Sequence, residues 1–159
     1  PDFNWGLNVQ LGYKNFDLSM FFQGVCGVDV YNNQKFQTDF WSITDAGSNK
    51  GNRMLGAWTK DNTSSSIPAL TTNNTGDEGR ASSYFVEHGN WMKLRSLQLG
   101  YNFADSLLKK LNMISARVYV SAQNVFTWKS NSFTISDPEN PNWAYPHSSS
   151  VSFGLQVSF

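Results

Sequence analysis

Apolar and polar positions alternate strictly along the final stretch of the sequence, VSFGLQVSF. Every second side chain is apolar, and the residues between them are Ser, Gly, Gln and Ser. The apolar positions are Val151, Phe153, Leu155, Val157 and Phe159. Successive side chains of a β-strand point to opposite faces, so this pattern predicts a strand with one apolar and one polar face.

Four further segments show the same period of two and are predicted as strands. They are residues 5–13 (WGLNVQLGY), 16–24 (FDLSMFFQG), 84–103 (YFVEHGNWMKLRSLQLGYNF) and 114–128 (ISARVYVSAQNVFTW). Phe21 breaks the second pattern, and we expect its ring to have a partner on the polar side. The third pattern loses its phase around Gly89, where a β-bulge is expected.

The connections between these strands alternate between short and long. Turns at about 14–15 and 104–113 are short, whereas loops at about 25–83 and 129–150 are long and rich in Asn, Ser and Thr. Outer-membrane barrels have short periplasmic turns and long extracellular loops. The spacing therefore predicts an antiparallel transmembrane β-barrel, with the loops outside the cell and the turns in the periplasm.

Aromatic residues recur near the ends of the predicted strands on the apolar side. They include Trp5, Tyr13, Phe16, Phe22, Tyr101, Phe103, Phe126, Phe153 and Phe159. Rings at both membrane interfaces with aliphatic residues between them are typical of a lipid-facing barrel wall. The strand lengths also suit tilted membrane strands.

The composition of the chain argues against several classes of function but does not identify one. The chain has 159 residues, 40% hydrophobic and 15% aromatic, and a formal net charge of +0, which argues against nucleic-acid binding. Mean hydropathy is −0.42, and no apolar run reaches the length of a transmembrane helix. The lone Cys26 and the separated His88 and His147 form no catalytic or metal-ligand pattern, so we expect no enzyme activity, no cofactor and no metal site.

The third strand resembles a motif of the SusC/RagA family of TonB-dependent outer-membrane transporters. Its matching positions are Glu87, Leu94, Arg95, Leu97, Leu99, Gly100 and Tyr101. The stretches QNVFT at 123–127, DPE at 137–139, SFGLQVSF at the end and PDFNWGLNVQLGYKNFDLSMFFQG at the start also resemble the family, in the family's order. Together they cover most of the chain outside the first long loop.

This resemblance implies that residues 1–159 are the C-terminal part of the barrel, the last five strands of a 22-stranded barrel in the bacterial outer membrane. Five strands cannot close a barrel, so we expect the rest of the barrel and its plug to complete it. The resemblance further implies import of glycans or peptides, a SusD-like surface lipoprotein as lid, and a TonB complex engaged through the missing N-terminal part. Phe159 resembles the C-terminal signal read by the barrel-assembly machinery, and lipid of the outer membrane would cover the apolar face.

Aromatic residues in the two long loops are the candidate contacts with ligand or lid. They are Trp41, Trp58, Trp143 and Tyr145. Sugar rings stack on indole and phenol rings, but large rings also pack loops together or fill protein interfaces. The inner-face polar residues are expected to be wetted lumen residues.

Two alternatives remain open from the sequence. One is a siderophore- or cobalamin-type TonB-dependent transporter of the same architecture. The other is a soluble carbohydrate-binding β-sandwich, which would require the apolar strand positions, such as Leu7, Leu99 and Leu155, to lie inside a dry protein core.

Overall fold

A computed structural model describes residues 1–40, 49–70, 80–140 and 145–159, without the side chain of Phe36. In these ranges the strands are β1 Phe3–Tyr13, β2 Phe16–Cys26, β3 Asp29–Tyr31, β4 Val86–His88, β5 Trp91–Asn102, β6 Ser115–Lys129 and β7 Ser150–Ser158. The helices are α1 Asn33–Asp39 and α2 Asp105–Lys110, with 3-10 turns at Asn52–Gly56 and Ser83–Phe85. No helix in the described ranges is long and apolar enough to span a bilayer.

The chain divides into two compact units, which we name by their content. The sheet unit comprises Pro1–Asp29, His88–Phe133 and Pro146–Phe159. The loop unit comprises Val30–Glu87 and Thr134–Tyr145. The described parts of the two long connections therefore fold mostly into a unit of their own.

The sheet unit is one antiparallel sheet of five strands in the order β1-β2-β5-β6-β7. It confirms the predicted all-β antiparallel fold. Four of the five predicted strands correspond to β1, β2, β6 and β7, whereas the third, 84–103, is divided after His88 into β4 and β5. Tyr13 pairs with Phe16 across the two-residue turn, and the register then runs without interruption to the pairing of Phe3 with Cys26. A strand order that follows the chain, apart from the excursion into β3 and β4, is that of a meandering wall.

The register brings the apolar positions of all five strands onto one face, which we call the apolar face. One of its rows crosses the sheet through Leu11, Leu18, Leu99, Val120 and Phe153. The neighbouring row on the opposite, polar face runs through Gln10, Ser19, Gln98, Ser121 and Ser152. The alternation along the sequence is thus reproduced in three dimensions.

The apolar face is exposed rather than packed into a core. Phe153 is 85% exposed, Leu155 68% and Leu7 51%. The β-sandwich alternative required such side chains to lie in a dry interior, and the structure contradicts it at these positions. An apolar surface of this extent indicates contact with a membrane or another protein.

The third predicted strand is interrupted at two places. At Gly89, where a bulge was expected, β4 has ended and β5 begins at Trp91, and within β5 the register shifts at Arg95. Phe21 pairs with Ser96 and Phe22 with Leu94, so Arg95 is the extra residue of a bulge. Its side chain bonds Gln23 at 2.9 Å and Asn124 at 3.4 Å, and Asn124 has a positive φ of 50°. The guanidinium thus ties together three strands where the ladder is interrupted. Phe21, as expected, has a partner on the polar side, because its ring lies against Gly6.

The loop unit contains more regular structure than the sequence indicated. The sequence predicts an irregular loop over residues 25–83. In the structure β2 extends to Cys26, and the loop contains α1 and a 3-10 turn. Phe85 and Ile135 are fully buried and Met54 is nearly so. The ring of Phe85 contacts those of Tyr31, Phe40 and Tyr84. This small core explains why Asn- and Thr-rich segments adopt a defined structure.

Candidate functional site

The structure places three of the five predicted site residues. Trp58 and Tyr145 belong to the loop unit, and their side chains are 41% and 94% exposed. Phe159 follows the last residue of β7 and is 79% exposed. Trp41 and Trp143 lie outside the described residues. Exposure suits a contact role for all three, but it does not identify a ligand.

Trp58 is held by a compact loop. Its backbone N–H donates to the carbonyl of Ile67 at 2.8 Å. The side chains of Asn62 and Ser65 donate to the carbonyl of Gly56 at 3.1 and 2.6 Å. In the preceding 3-10 turn Met54 is buried, whereas its neighbour Leu55 is 92% exposed. The loop therefore presents an indole and an aliphatic side chain on a fixed backbone.

A buried carboxylate organises the first part of the loop unit. Asp39 is 0% exposed, and it accepts hydrogen bonds from Arg53 Nε and from the Tyr84 hydroxyl, each at 2.9 Å. Thr38 donates to the same carboxylate at 3.1 Å. A buried charge is stable only when it is paired and fully hydrogen-bonded. Asp39 meets that condition with partners from three separate segments of the chain.

A second cluster joins the two long connections through Thr134. Its N–H and hydroxyl donate to the two oxygens of Glu87 at 2.9 and 2.8 Å. The same hydroxyl oxygen accepts from Asn32 at 2.8 Å and from Arg53 at 3.4 Å. Lys35 lies 3.8 Å from Glu87 and donates to the Tyr84 carbonyl at 2.6 Å. Thr134 is thus the point where the second connection is fixed to the first.

Burial shifts the protonation of two groups in this unit. It raises the pKa of Tyr84 well above the usual range, and the hydrogen bond and negative charge of Asp39 add to the effect. Burial also lowers the pKa of Lys35, while the nearby Glu87 opposes that change. The Lys35 ammonium lies 3.9 Å from the centre of the Tyr84 ring, a cation–π distance. These groups hold the loop unit together, and their chemistry is structural.

The polar face of the sheet carries an ion pair between two residues that were predicted only to be wetted lumen residues. Arg117 on β6 binds both oxygens of Asp17 on β2, with its Nε at 3.1 Å. Asn102 on β5 donates to the same carboxylate at 3.1 Å. The pair spans β5 because Gly100 lies beneath it and has no side chain. Only the register reveals this, since Asp17 and Arg117 are far apart in sequence.

The network of hydrogen bonds and ion pairs in the loop unit was not predicted either, although the sequence contains a signal for it. Lys35, Asp39, Arg53 and Glu87 are charged residues in or beside a connection that is rich in Asn, Thr, Ser and Gly. Isolated charges of both signs in such segments favour pairing. Nothing in the sequence, however, indicates which charge meets which.

Comparison with known proteins gives the family. No family model matches the chain. TonB-dependent receptor P3 of Formosa agariphila is 31% identical over the whole of this chain, which corresponds to 16% of that receptor. TonB-dependent receptor SusC of Bacteroides thetaiotaomicron is 28% identical over 97% of this chain and 15% of the receptor. The chain therefore spans about a sixth of the length of the curated relatives it matches.

Solved structures agree with these sequences. The RagAB peptide importer in its closed-closed state superimposes with a TM-score of 0.78 at 27% identity, over 98% of this chain and 17% of the importer chain. A further structure of the RagAB peptide transporter gives a TM-score of 0.75 over 97% of this chain. Because both its sequence and its fold match these proteins, the chain belongs to the SusC/RagA family of TonB-dependent transporters and is a segment of their β-barrel.

Proposed function

We propose that this chain is a wall segment of an outer-membrane, TonB-dependent importer of glycans or peptides. In the complete protein the remaining barrel strands and a plug close the pore, and the TonB complex drives transport through a part outside this sequence. The segment itself supplies lipid-facing wall, polar lumen wall and two extracellular loops. It carries out no bond chemistry.

The exposed apolar face is the observation that carries this proposal. A row of aliphatic and aromatic side chains crosses all five strands, and the opposite face is hydrogen-bonded and polar. In hydrocarbon every backbone group needs a partner, so a sheet survives there only as a closed barrel. In the described sheet β1 and β7 each have one neighbour, which is where further strands of the wall would pair.

The loop unit is our candidate for the contact with substrate or with a SusD-like lid. Trp58 and Tyr145 are exposed on a unit whose backbone is fixed by the Asp39 and Thr134 contacts. Rigid aromatic side chains give contact area at low entropic cost. Trp41 and Trp143 belong to the same proposal by sequence. The relatives include a peptide importer, and peptides and glycans both suit exposed rings flanked by amides.

A siderophore- or cobalamin-type transporter is the alternative within the same architecture. Uptake that requires a metal chelate would favour it. Uptake of peptide or oligosaccharide that is lost when Trp58 and Tyr145 are both replaced by Ala would favour our proposal. Replacing Leu111, which is 54% exposed in the 104–113 turn, by Ala should leave uptake unchanged.

The orientation is tested by labelling intact cells. In a Cys26→Ser background of the complete transporter, a cysteine at Lys60 in the first loop should react with a membrane-impermeant maleimide. A cysteine at Lys14 in the β1–β2 turn should react only after the outer membrane is permeabilised. Both positions are exposed in the structure, so reactivity reports the side of the membrane. Labelling of Lys14→Cys but not Lys60→Cys in intact cells would reverse the proposed topology.

A further inference from the structure

The apolar face is not flat. A groove of about 260 Å³ opens on it, walled by Phe16, Leu99, Tyr101, Val118, Val120 and Phe153. The rings of Phe16 and Tyr101 contact each other at 4.8 Å between centroids. The floor is formed by β-branched and aliphatic side chains. A groove with such walls fits a hydrocarbon chain and offers almost nothing to a polar ligand.

This groove lies at the end of the sheet where the short turns are. Phe16 is the first residue of β2, directly after the turn at 14–15. The Asn102 N–H at the end of β5 donates to the carbonyl of Asn15 at 2.8 Å, so this turn adjoins the start of the 104–113 connection. Both short connections therefore border the same end of the apolar face.

These two turns carry three lysines and one acidic residue. Lys14, Lys109 and Lys110 are exposed, and the acidic residue on α2, Asp105, is at its opposite end. Asp17 contributes little negative field because Arg117 binds it on the polar face. Leu107, Leu111 and Ile114 around the lysines are 45%, 54% and 72% exposed. Exposed aliphatic side chains next to lysines are typical of segments lying at a membrane interface.

We propose that this end of the apolar face is a binding site for one anionic glycerophospholipid. An acyl chain fills the groove, and the headgroup phosphate is held by Lys14, Lys109 and Lys110. The inference rests on the proposed function, because it takes this face to contact the outer membrane and the short turns to face the periplasm. The periplasmic leaflet contains glycerophospholipid, which is why we assign the site to that lipid and not to the phosphates of lipid A.

Native mass spectrometry of the complete transporter tests the site. The protein is exchanged into mild detergent with equal amounts of phosphatidylglycerol and phosphatidylcholine of the same acyl chains. We expect it to retain phosphatidylglycerol in preference. The triple variant Lys14→Glu, Lys109→Glu, Lys110→Glu should lose that preference by at least about tenfold, because each lysine near an anionic lipid contributes on the order of 1 kcal/mol. Lys60→Glu, an exposed lysine of the loop unit, is the matched control and should retain it.

The groove is tested separately with Val118→Trp, which fills it, against Val151→Trp, which adds the same ring to the same face outside the groove walls. Val118→Trp should lose bound lipid of either headgroup, and Val151→Trp should keep it. Equal retention of both lipids by the unaltered protein, or tighter retention of added lipid A, would overturn the site. The proposed function would fail differently, since the transporter would then remain in solution without detergent.

Discussion

At the scale of single residues, side chains from neighbouring strands occupy the space of a Cβ atom at three glycines of the sheet. A Cβ added to Gly24 or Gly154 would meet the ring of Trp5 or Tyr119, and one added to Gly100 would meet the Asp17–Arg117 pair. Gly12, in contrast, has nothing within 4 Å of that position. Glycine in a strand usually weakens it, unless another side chain uses the free space. Here the covering groups identify which glycines are required.

Gly154→Val should therefore destabilise the complete transporter, and Gly12→Val should not. Both glycines are on the polar face, and Val favours a strand at both sites. At Gly154 the new side chain must displace the Tyr119 ring, and overpacking of this kind costs about 1–3 kcal/mol. Urea unfolding in detergent measures the difference. Equal midpoints for the two variants would show that Tyr119 moves aside without cost.

The stability of the loop unit should depend on pH in the alkaline range because of Tyr84. Its pKa is raised in the folded state, so the folded state keeps a proton that the unfolded chain releases above its own pKa of about 10. The contribution of Tyr84 is complete below that pH and is lost as the pH rises through the raised pKa. Lys35 acts oppositely, because its lowered pKa makes the free energy of unfolding rise as the pH approaches about 10.4.

Replacement of Tyr84 by Phe should remove the loss of stability at alkaline pH. The contribution of Lys35 to the free energy of unfolding should remain. Cleavage of the loop unit by an alkaline-active protease, measured from about pH 9 to about pH 11, should accelerate in the unaltered protein and much less in Tyr84→Phe. Tyr145→Phe removes an exposed phenol and should behave as the unaltered protein does. The same acceleration in Tyr84→Phe would assign the alkaline loss to other groups.

At the scale of elements, the sheet was predictable and the loop unit was not. The strand β5 has a different environment on each face, so apolar residues such as Leu97, Leu99 and Tyr101 alternate with polar ones. This alternation can be recognised in the local sequence. The bulge at Arg95 could not be predicted, because the bonds that fix it are made to Gln23 and Asn124 on two other strands. The loop unit depends on contacts such as Thr134 with Glu87 and Asn32, which join segments 47 and 102 residues apart. No local sequence pattern predicts contacts between residues so far apart in the chain.

The two long connections should loosen together when Thr134 is replaced by Val. Val keeps the shape of the side chain but removes its bonds to Glu87, Asn32 and Arg53, leaving buried polar groups without this partner. Such a loss costs about 1–3 kcal/mol. Hydrogen exchange of the complete transporter should become faster in segments 30–40 and 134–140. Thr127→Val, an exposed threonine on β6, is the matched control and should leave both segments protected.

At the scale of the whole molecule, the two faces of the sheet should respond oppositely to the same new charge. Leu97 and Gln98 are adjacent on β5 and both partly buried, but Leu97 lies on the apolar face and Gln98 in the uncharged row of the polar face. If the apolar face meets lipid, Leu97→Arg places a cation in hydrocarbon, which costs about 2–4 kcal/mol near the bilayer midplane. Gln98→Arg places the cation on the wetted side, where that cost is absent.

The yield of folded transporter in the outer membrane, read from its heat-modifiable migration in gels, should fall for Leu97→Arg and stay near normal for Gln98→Arg. A fall for Gln98→Arg alone would mean that the face with Gln98 is the one in lipid, and the assignment of wall and lumen would have to be exchanged.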